Sequence, residues 1–264
     1  MKRIVMFSGG KDSSVLVHWM IEQGYDFETV FCNTGWELPE TLKFIRDFAQ
    51  LYLDGKITEL KSSKYDSMRD MIIKKDYIPT VHQRFCTQEL KVQPLYDYIK
   101  KFKDKVHLYN GVRRAESTSR QNAIADFYDK DAKCWVHRPL IDWSDEDIFE
   151  YMNKHEIIIN PLYKKGMKRV GCGPCILISL KELAVLKEIH PERIDEIREI
   201  EKSTKQTFFF SKMIPERFRM GKSSKGNKRA TIDDVCRYLD QKAKYKELSE
   251  AAGESCMSYY GLCE

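Results

Sequence analysis

The sequence predicts an α/β fold, doubly wound around a mostly parallel five-stranded sheet, with a smaller helical region at the C-terminal end. Three observations predict it. Apolar strand-like runs alternate with amphipathic helical stretches through the first 155 residues, the pattern of a parallel sheet covered on both faces. A Gly-Gly turn, Gly9-Gly10, joins the first of these runs to the first helix. Past Gly166 the strand signals fade and helical periodicity takes over. The expected boundary lies near residue 165, separating 1–165 from a basic, cysteine-containing region at 166–264.

The elements follow in order. Residues 3–7 are apolar and short, as a buried strand is. Residues 12–23 place Val15, Leu16, Trp19 and Met20 at helical spacing and stop at Gly24. A second strand covers 27–32. Glu37-Leu38-Pro39-Glu40 opens a second helix with Pro in its first turn and Leu42, Ile45, Phe48 and Ala49 on one face. Residues 57–60 form a short third strand, and 65–74 and 88–101 are helical. Residues 106–111 and 135–139 complete the sheet. Ser144, with Asp147 three residues on, caps a helix running to about 154. Helical patterns then cover 176–189, 191–203 and 231–248.

Composition bounds the class. The 264 residues are 42% hydrophobic, enough for a large core, and 32% charged, as a soluble surface requires. No apolar run reaches the ~18 residues of a membrane span. Met1–Phe7 passes straight into Ser8-Gly9, too short for a signal peptide. The expectation is a cytoplasmic protein without membrane association. The net charge is +5, but 201–230 alone carries nine Lys or Arg against two acids. The 202–229 stretch is either a surface for nucleic acid or a phosphorylated substrate, or a solvated basic loop. The oligomeric state stays open, a homo-oligomer included.

Ser8-Gly9-Gly10-Lys11-Asp12-Ser13 falls where the first strand turns into the first helix. Two glycines let backbone approach a phosphate without a Cβ in the way. The helix behind them points free N–H groups and the positive end of its dipole at the anion. Lys11 adds charge, Ser8 and Ser13 add hydroxyls, and Asp12 suits Mg²⁺ carried by a nucleotide. The spacing is neither that of a Walker loop nor of a dinucleotide fingerprint. Asn33-Thr34-Gly35 follows the second strand, at the sheet end where open α/β folds bind ligands. Gly111, Arg113, Arg114 and Arg120 follow another strand, where guanidinium groups can meet phosphate or sulfate in bidentate fashion.

Ser8–Ser13 resembles the PP-loop of the adenine nucleotide α-hydrolase-like superfamily, whose members bind ATP and typically cleave it between the α and β phosphates. Three further stretches resemble one branch, the phosphoadenosine phosphosulfate (PAPS) reductase family. They are Cys32-Asn33-Thr34-Gly35, then Arg84-Phe85-Cys86-Thr87 with Lys91 and Pro94, then Gly111-Val112-Arg113-Arg114 with Glu116, Ser117 and Arg120. The resemblance covers roughly residues 1–180 and keeps the motifs in order. It implies an adenine nucleotide ligand: ATP, PAPS or adenosine phosphosulfate (APS).

Cys172-Gly173-Pro174-Cys175 is a Cys-x-x-Cys pair: a redox couple, a zinc knuckle or half of a cluster site. Assimilatory sulfonucleotide reductases with a [4Fe–4S] cluster carry a tandem Cys-Cys ahead of such a pair. This chain is similar but has Phe85-Cys86 there, which matches three ligands of four: Cys86, Cys172 and Cys175. The fourth would come from the tail, at Cys256 or Cys263, or one iron would stay open to carry sulfide. Zinc is the alternative metal. Cys32, Cys134 and Cys236 read as packing thiols.

The tail Gly261-Leu262-Cys263-Glu264 shares letters but not order with the catalytic-cysteine motif of the reductases, leaving Cys256 as the candidate there. The reductases also tend to lack the full loop, whereas this chain keeps Lys11 and Asp12. Three functions therefore stand: ATP-dependent adenylation coupled to sulfur transfer, with nucleic acid as acceptor; sulfonucleotide reduction to sulfite; and a non-catalytic nucleotide-binding module with structural zinc. Phe208, Phe209 and Phe210 beside the basic residues read as core, with a base-stacking role as the alternative. His82, His107, His137 and His190 show no ligand spacing.

Overall fold

A computed structural model describes residues 1–222 and 226–244. The chain divides into two compact units. One is 1–74 with 84–175; the other is 75–83 with the described residues from 176 onward.

The first unit contains a six-stranded sheet. In chain order the elements are β1 (Lys2–Met6), α1 (Lys11–Glu22), β2 (Glu28–Cys32), α2 (Pro39–Tyr52), β3 (Thr58–Leu60), α3 (Met68–Lys75), α4 (Phe85–Thr87), a π-helical turn at Gln88–Val92, α5 (Gln93–Ile99), β4 (Val106–Tyr109), β5 (Asp126–Asp129), β6 (Cys134–His137), α6 (Asp145–Lys154) and α7 (Pro161–Lys164). The strand order is β3-β2-β1-β4-β6-β5. All pairings are parallel except that between β5 and β6. Order reverses around β1 and β4, which opens a crevice at their C-terminal ends.

The mostly parallel α/β prediction holds, with one strand more than the five expected. Asp126–Asp129 pairs antiparallel at the edge, alternates exposed and half-buried residues, and lacks the apolar run that marks the central strands. Period-two alternation divides the core. On one face Val5 and Phe7 pack with Val15, Leu16, Phe44, Phe48 and Ile148. On the other Ile4, Val30, Val106, Leu108 and Val136 pack with Leu95 and Ile99.

The second unit holds α8 (Leu180–Ile189), α9 (Pro191–Thr204), a two-residue hairpin of β7 (Gly221–Lys222) and β8 (Lys228–Arg229), and a helix over 232–244. Two buried carboxylates tie its loops. Glu201 accepts the Phe208 and Ile232 amides at 2.8 and 2.9 Å. Asp234 accepts those of Met220, Gly221 and Thr231 at 3.0, 3.3 and 3.0 Å. No helix among the described residues is long and apolar enough to cross a membrane.

Candidate active site

The phosphate loop sits between β1 and α1. Gly10 is the N-cap of α1 and offers no side-chain cap, so the first amides of the helix depend on outside partners. The Ser8 amide donates to Ser13 Oγ at 3.2 Å, and Ser13 Oγ donates to the Gly10 carbonyl at 2.9 Å. These bonds curl the turn around Gly9 and Gly10. From the other side Asn160, itself buried, donates from Nδ2 to the Gly9 carbonyl at 3.2 Å. The Tyr163 hydroxyl accepts the Lys11 amide at 3.1 Å.

Beneath the loop is an ionic cluster. Arg113 is 1% exposed. Its Nε donates to Asp12 at 2.5 Å, its Nη2 to Asp145 at 2.6 Å and its Nη1 to the Trp143 carbonyl at 2.9 Å. Lys11 Nζ meets the same two carboxylates, Asp145 at 2.7 Å and Asp12 at 3.2 Å. Burial works against the Arg113 charge, but Asp12 and Asp145 more than offset it and hold the guanidinium charged. Lys11, then Arg113, holds the Asp145 carboxyl below the usual range. Gly111 makes the approach of β4 to the loop feasible, since a Cβ there would come within 3.0 Å of the Asp12 carbonyl oxygen.

This cluster assigns places to the residues that the sequence singles out. Lys11, Asp12 and Arg113 come together, with Arg113 buried under the loop; Asp12 Oδ1 meets both cations and Oδ2 meets Lys11 at 3.4 Å. A divalent cation would have to displace Lys11 or Arg113 from Asp12, so the carboxylates as they stand do not fit Mg²⁺. Arg114 pairs with Asp142 and the Ala123 carbonyl, and Arg120 with Glu116. Both are over one-third exposed, at 38% and 35%, and keep donors facing outward.

At the end of β2, Asn33 accepts the Gly35 amide at 2.7 Å, closing a local turn. Gly35 has φ +61°, and a Cβ there would lie 2.7 Å from that of Ser67. Thr34 donates from Oγ1 to buried Glu37 at 2.7 Å and lies 3.7 Å from Cys172 Sγ. The Cys172–Cys175 loop docks here: the Gly173 amide donates to the Trp36 carbonyl at 2.7 Å, and Trp36 Nε1 to the Pro174 carbonyl at 2.9 Å.

The three matched cysteines gather at this edge. Burial pushes the Cys86 thiol up, and Cys172 and Cys175 push it further. Half-buried Lys91, on the π-helical turn, hydrogen-bonds Cys172; that sulfur, with Glu37, holds the ammonium strongly charged. A [4Fe–4S] cluster or a structural zinc takes four ligands. Among the described residues no three His, Cys, Asp or Glu side chains stand at metal-holding geometry. The described residues therefore do not by themselves fit either metal group. Cys256 and Cys263 lie outside the described residues.

Cys32 and Cys134 are buried, and burial raises both thiols to about 11. Of the Phe triplet, Phe208 and Phe209 are core while Phe210 is 60% exposed. Glu37, Asn160, Tyr163 and Asp145 are site residues that the motifs do not single out. Asn160 had a local signal, Asn before Pro at a helix start. The others are brought in by the fold, Tyr163 across 152 residues.

Residues 2–178 match the model of the phosphoadenosine phosphosulfate reductase domain. This chain belongs to the PAPS reductase family. An uncharacterized protein of Methanocaldococcus jannaschii is 34% identical over 193 residues, 70% of this chain and 44% of that protein. Adenosine 5'-phosphosulfate reductase of Rhodococcus opacus is 29% identical over 61% of this chain and 63% of its own length. The chain thus spans under two-thirds of either relative. The crystal structure of PAPS reductase from Candida auris superposes with a TM-score of 0.54 at 18% identity, covering 66% of this chain and 83% of that one, a likeness of fold. The matched stretch contains the phosphate loop, the Arg113 cluster and Cys86, Cys172 and Cys175.

Proposed function

We propose that the chain seats the phosphates of ATP on Ser8–Ser13 and adenylates an acceptor, as the first half of a sulfur transfer. The observation that carries the reading is the complete loop: α1 amides with no side-chain cap, Lys11 held on Asp12 and Asp145, and Ser8 and Ser13 curled around the glycine turn, at the C-terminal end of a central parallel strand. An acceptor oxygen attacks the α-phosphorus, a P–O bond forms, the α–β bridge breaks and pyrophosphate leaves. Lys11 and the loop amides stabilise the charge on the departing phosphates. The Arg113–Asp12–Asp145 cluster keeps Lys11 oriented. Arg114 and Arg120 extend the anion site with their outward donors.

The Cys86–Cys172–Cys175 thiols, with Lys91 against Cys172, supply sulfur chemistry beside the nucleotide end of β2. Such free thiols suit the reducing cytoplasm. In the second unit Lys212, Arg217, Lys222 and Lys228 are exposed, as is Phe210, which favours a nucleic acid as acceptor.

A second reading, sulfonucleotide reduction, is favoured by the relatives named adenosine 5'-phosphosulfate reductases. Its catalytic cysteine would be Cys256. One assay separates the two. The chain is incubated with ATP, Mg²⁺ and RNA or DNA, and in parallel with APS or PAPS and a thiol reductant. Acceptor-dependent pyrophosphate release supports adenylation; sulfite release without it replaces adenylation by reduction.

A further inference from the structure

We propose that Tyr163 is a phosphate-binding residue: its hydroxyl donates a hydrogen bond to an oxygen of the phosphate seated on Ser8–Ser13. The inference rests on the phosphate-loop reading above and adds to it a residue that lies outside every motif.

Tyr163 stands on the single turn of α7, which Asn160 caps by accepting the Leu162 amide at 3.1 Å. The same Asn160 side chain holds the Gly9 carbonyl at 3.2 Å. One buried amide therefore both starts the turn and fastens it to the loop. That attachment carries the Tyr163 hydroxyl to the N-terminus of α1, where it accepts the Lys11 amide at 3.1 Å. A Cβ on Gly10 would lie 3.4 Å from the hydroxyl oxygen, so the phenol rests against the glycine turn itself.

A phenol both accepts and donates. The accepting side is engaged by Lys11 N–H. The hydroxyl proton has no acceptor among the described residues, for the Lys11 bond is the one hydrogen bond this oxygen makes. Burial pushes the phenol up to about 12, Asp12 and Glu116 add to this, and the Lys11 amide and Arg169 oppose it. At neutral pH it stays a donor. An unspent donor set in an anion cradle points to an anionic acceptor. The amide behind it polarises the O–H, so a phosphate oxygen receives a strengthened bond.

Wild type and Tyr163→Phe are titrated calorimetrically with pyrophosphate, ATP and adenosine, with a melting curve for each protein. The phenylalanine fills the same volume, so the melting temperature should move by only a few degrees. Pyrophosphate and ATP should bind about tenfold more weakly, and adenosine unchanged. Wild type binding pyrophosphate and the variant binding it equally or more tightly would overturn the assignment and leave the loop reading standing. An equal loss for adenosine would likewise overturn it, as a general disturbance of the site. No pyrophosphate binding by wild type would overturn the loop reading and this inference together.

Discussion

Arg113 determines how the phosphate loop is held. It touches both acids that touch Lys11, from a position closed to solvent. Removing it leaves Asp12 and Asp145 facing Lys11 alone, with the Trp143 carbonyl unpaired. Arg113→Ala should lower the stability of the first unit by ~3 kcal/mol in urea unfolding, the cost of breaking a buried ion pair from one side. Arg113→Lys should recover less than half, since one ammonium cannot span Asp12, Asp145 and Trp143 as a planar fork does. A loss within ~0.5 kcal/mol for Arg113→Ala would contradict this role. At this scale the loop was legible because its chemistry is contiguous in sequence. The side of Arg113 was not: an arginine after a strand reads alike whether it faces a ligand or a buried carboxylate. Tyr163 gave no local signal because only the fold brings it to Lys11.

Elements show the same division. Apolar runs made the four central strands, β1, β2, β4 and β6, legible, since a central parallel strand is buried on both faces. β5 was not, because an edge strand with exposed Asp126 and Tyr128 looks like a loop. The β2–α2 connection is the most constrained element of the site. Gly35 there has φ +61° and no room for a Cβ. Gly35→Ala should cost ~2 kcal/mol or more, from backbone strain plus displacement of Ser67. It should also shift Thr34 away from Cys172, which thiol-alkylation rates at Cys172 would register. Unchanged melting in that variant would refute the steric account.

The molecule as a whole joins a nucleotide unit that reads clearly in the sequence to a helical unit that reads only as helices. The return of 75–83 to the second unit left no mark in the pattern, since long-range association has no period. Glu201 is the most consequential group of that unit. Burial lifts its carboxyl to about 7, against the pull of two backbone amides. The folded state therefore holds a proton that the unfolded state has released above ~4.5. Stability of this unit should fall as pH rises from ~4.5 to ~7, by ~3 kcal/mol, and then level off. Glu201→Gln should flatten that slope in pH-dependent melting. A slope that survives the substitution would assign the effect elsewhere.

On the proposed function, Ser8–Ser13 binds nucleotide phosphates through its amides and Lys11. Calorimetric titration of wild type and Lys11→Ala with ATP tests it most directly. Wild type should show saturable one-site binding, and the variant at least tenfold weaker binding. Equal affinities in the two proteins, or no binding by wild type to ATP, pyrophosphate or PAPS, would contradict it.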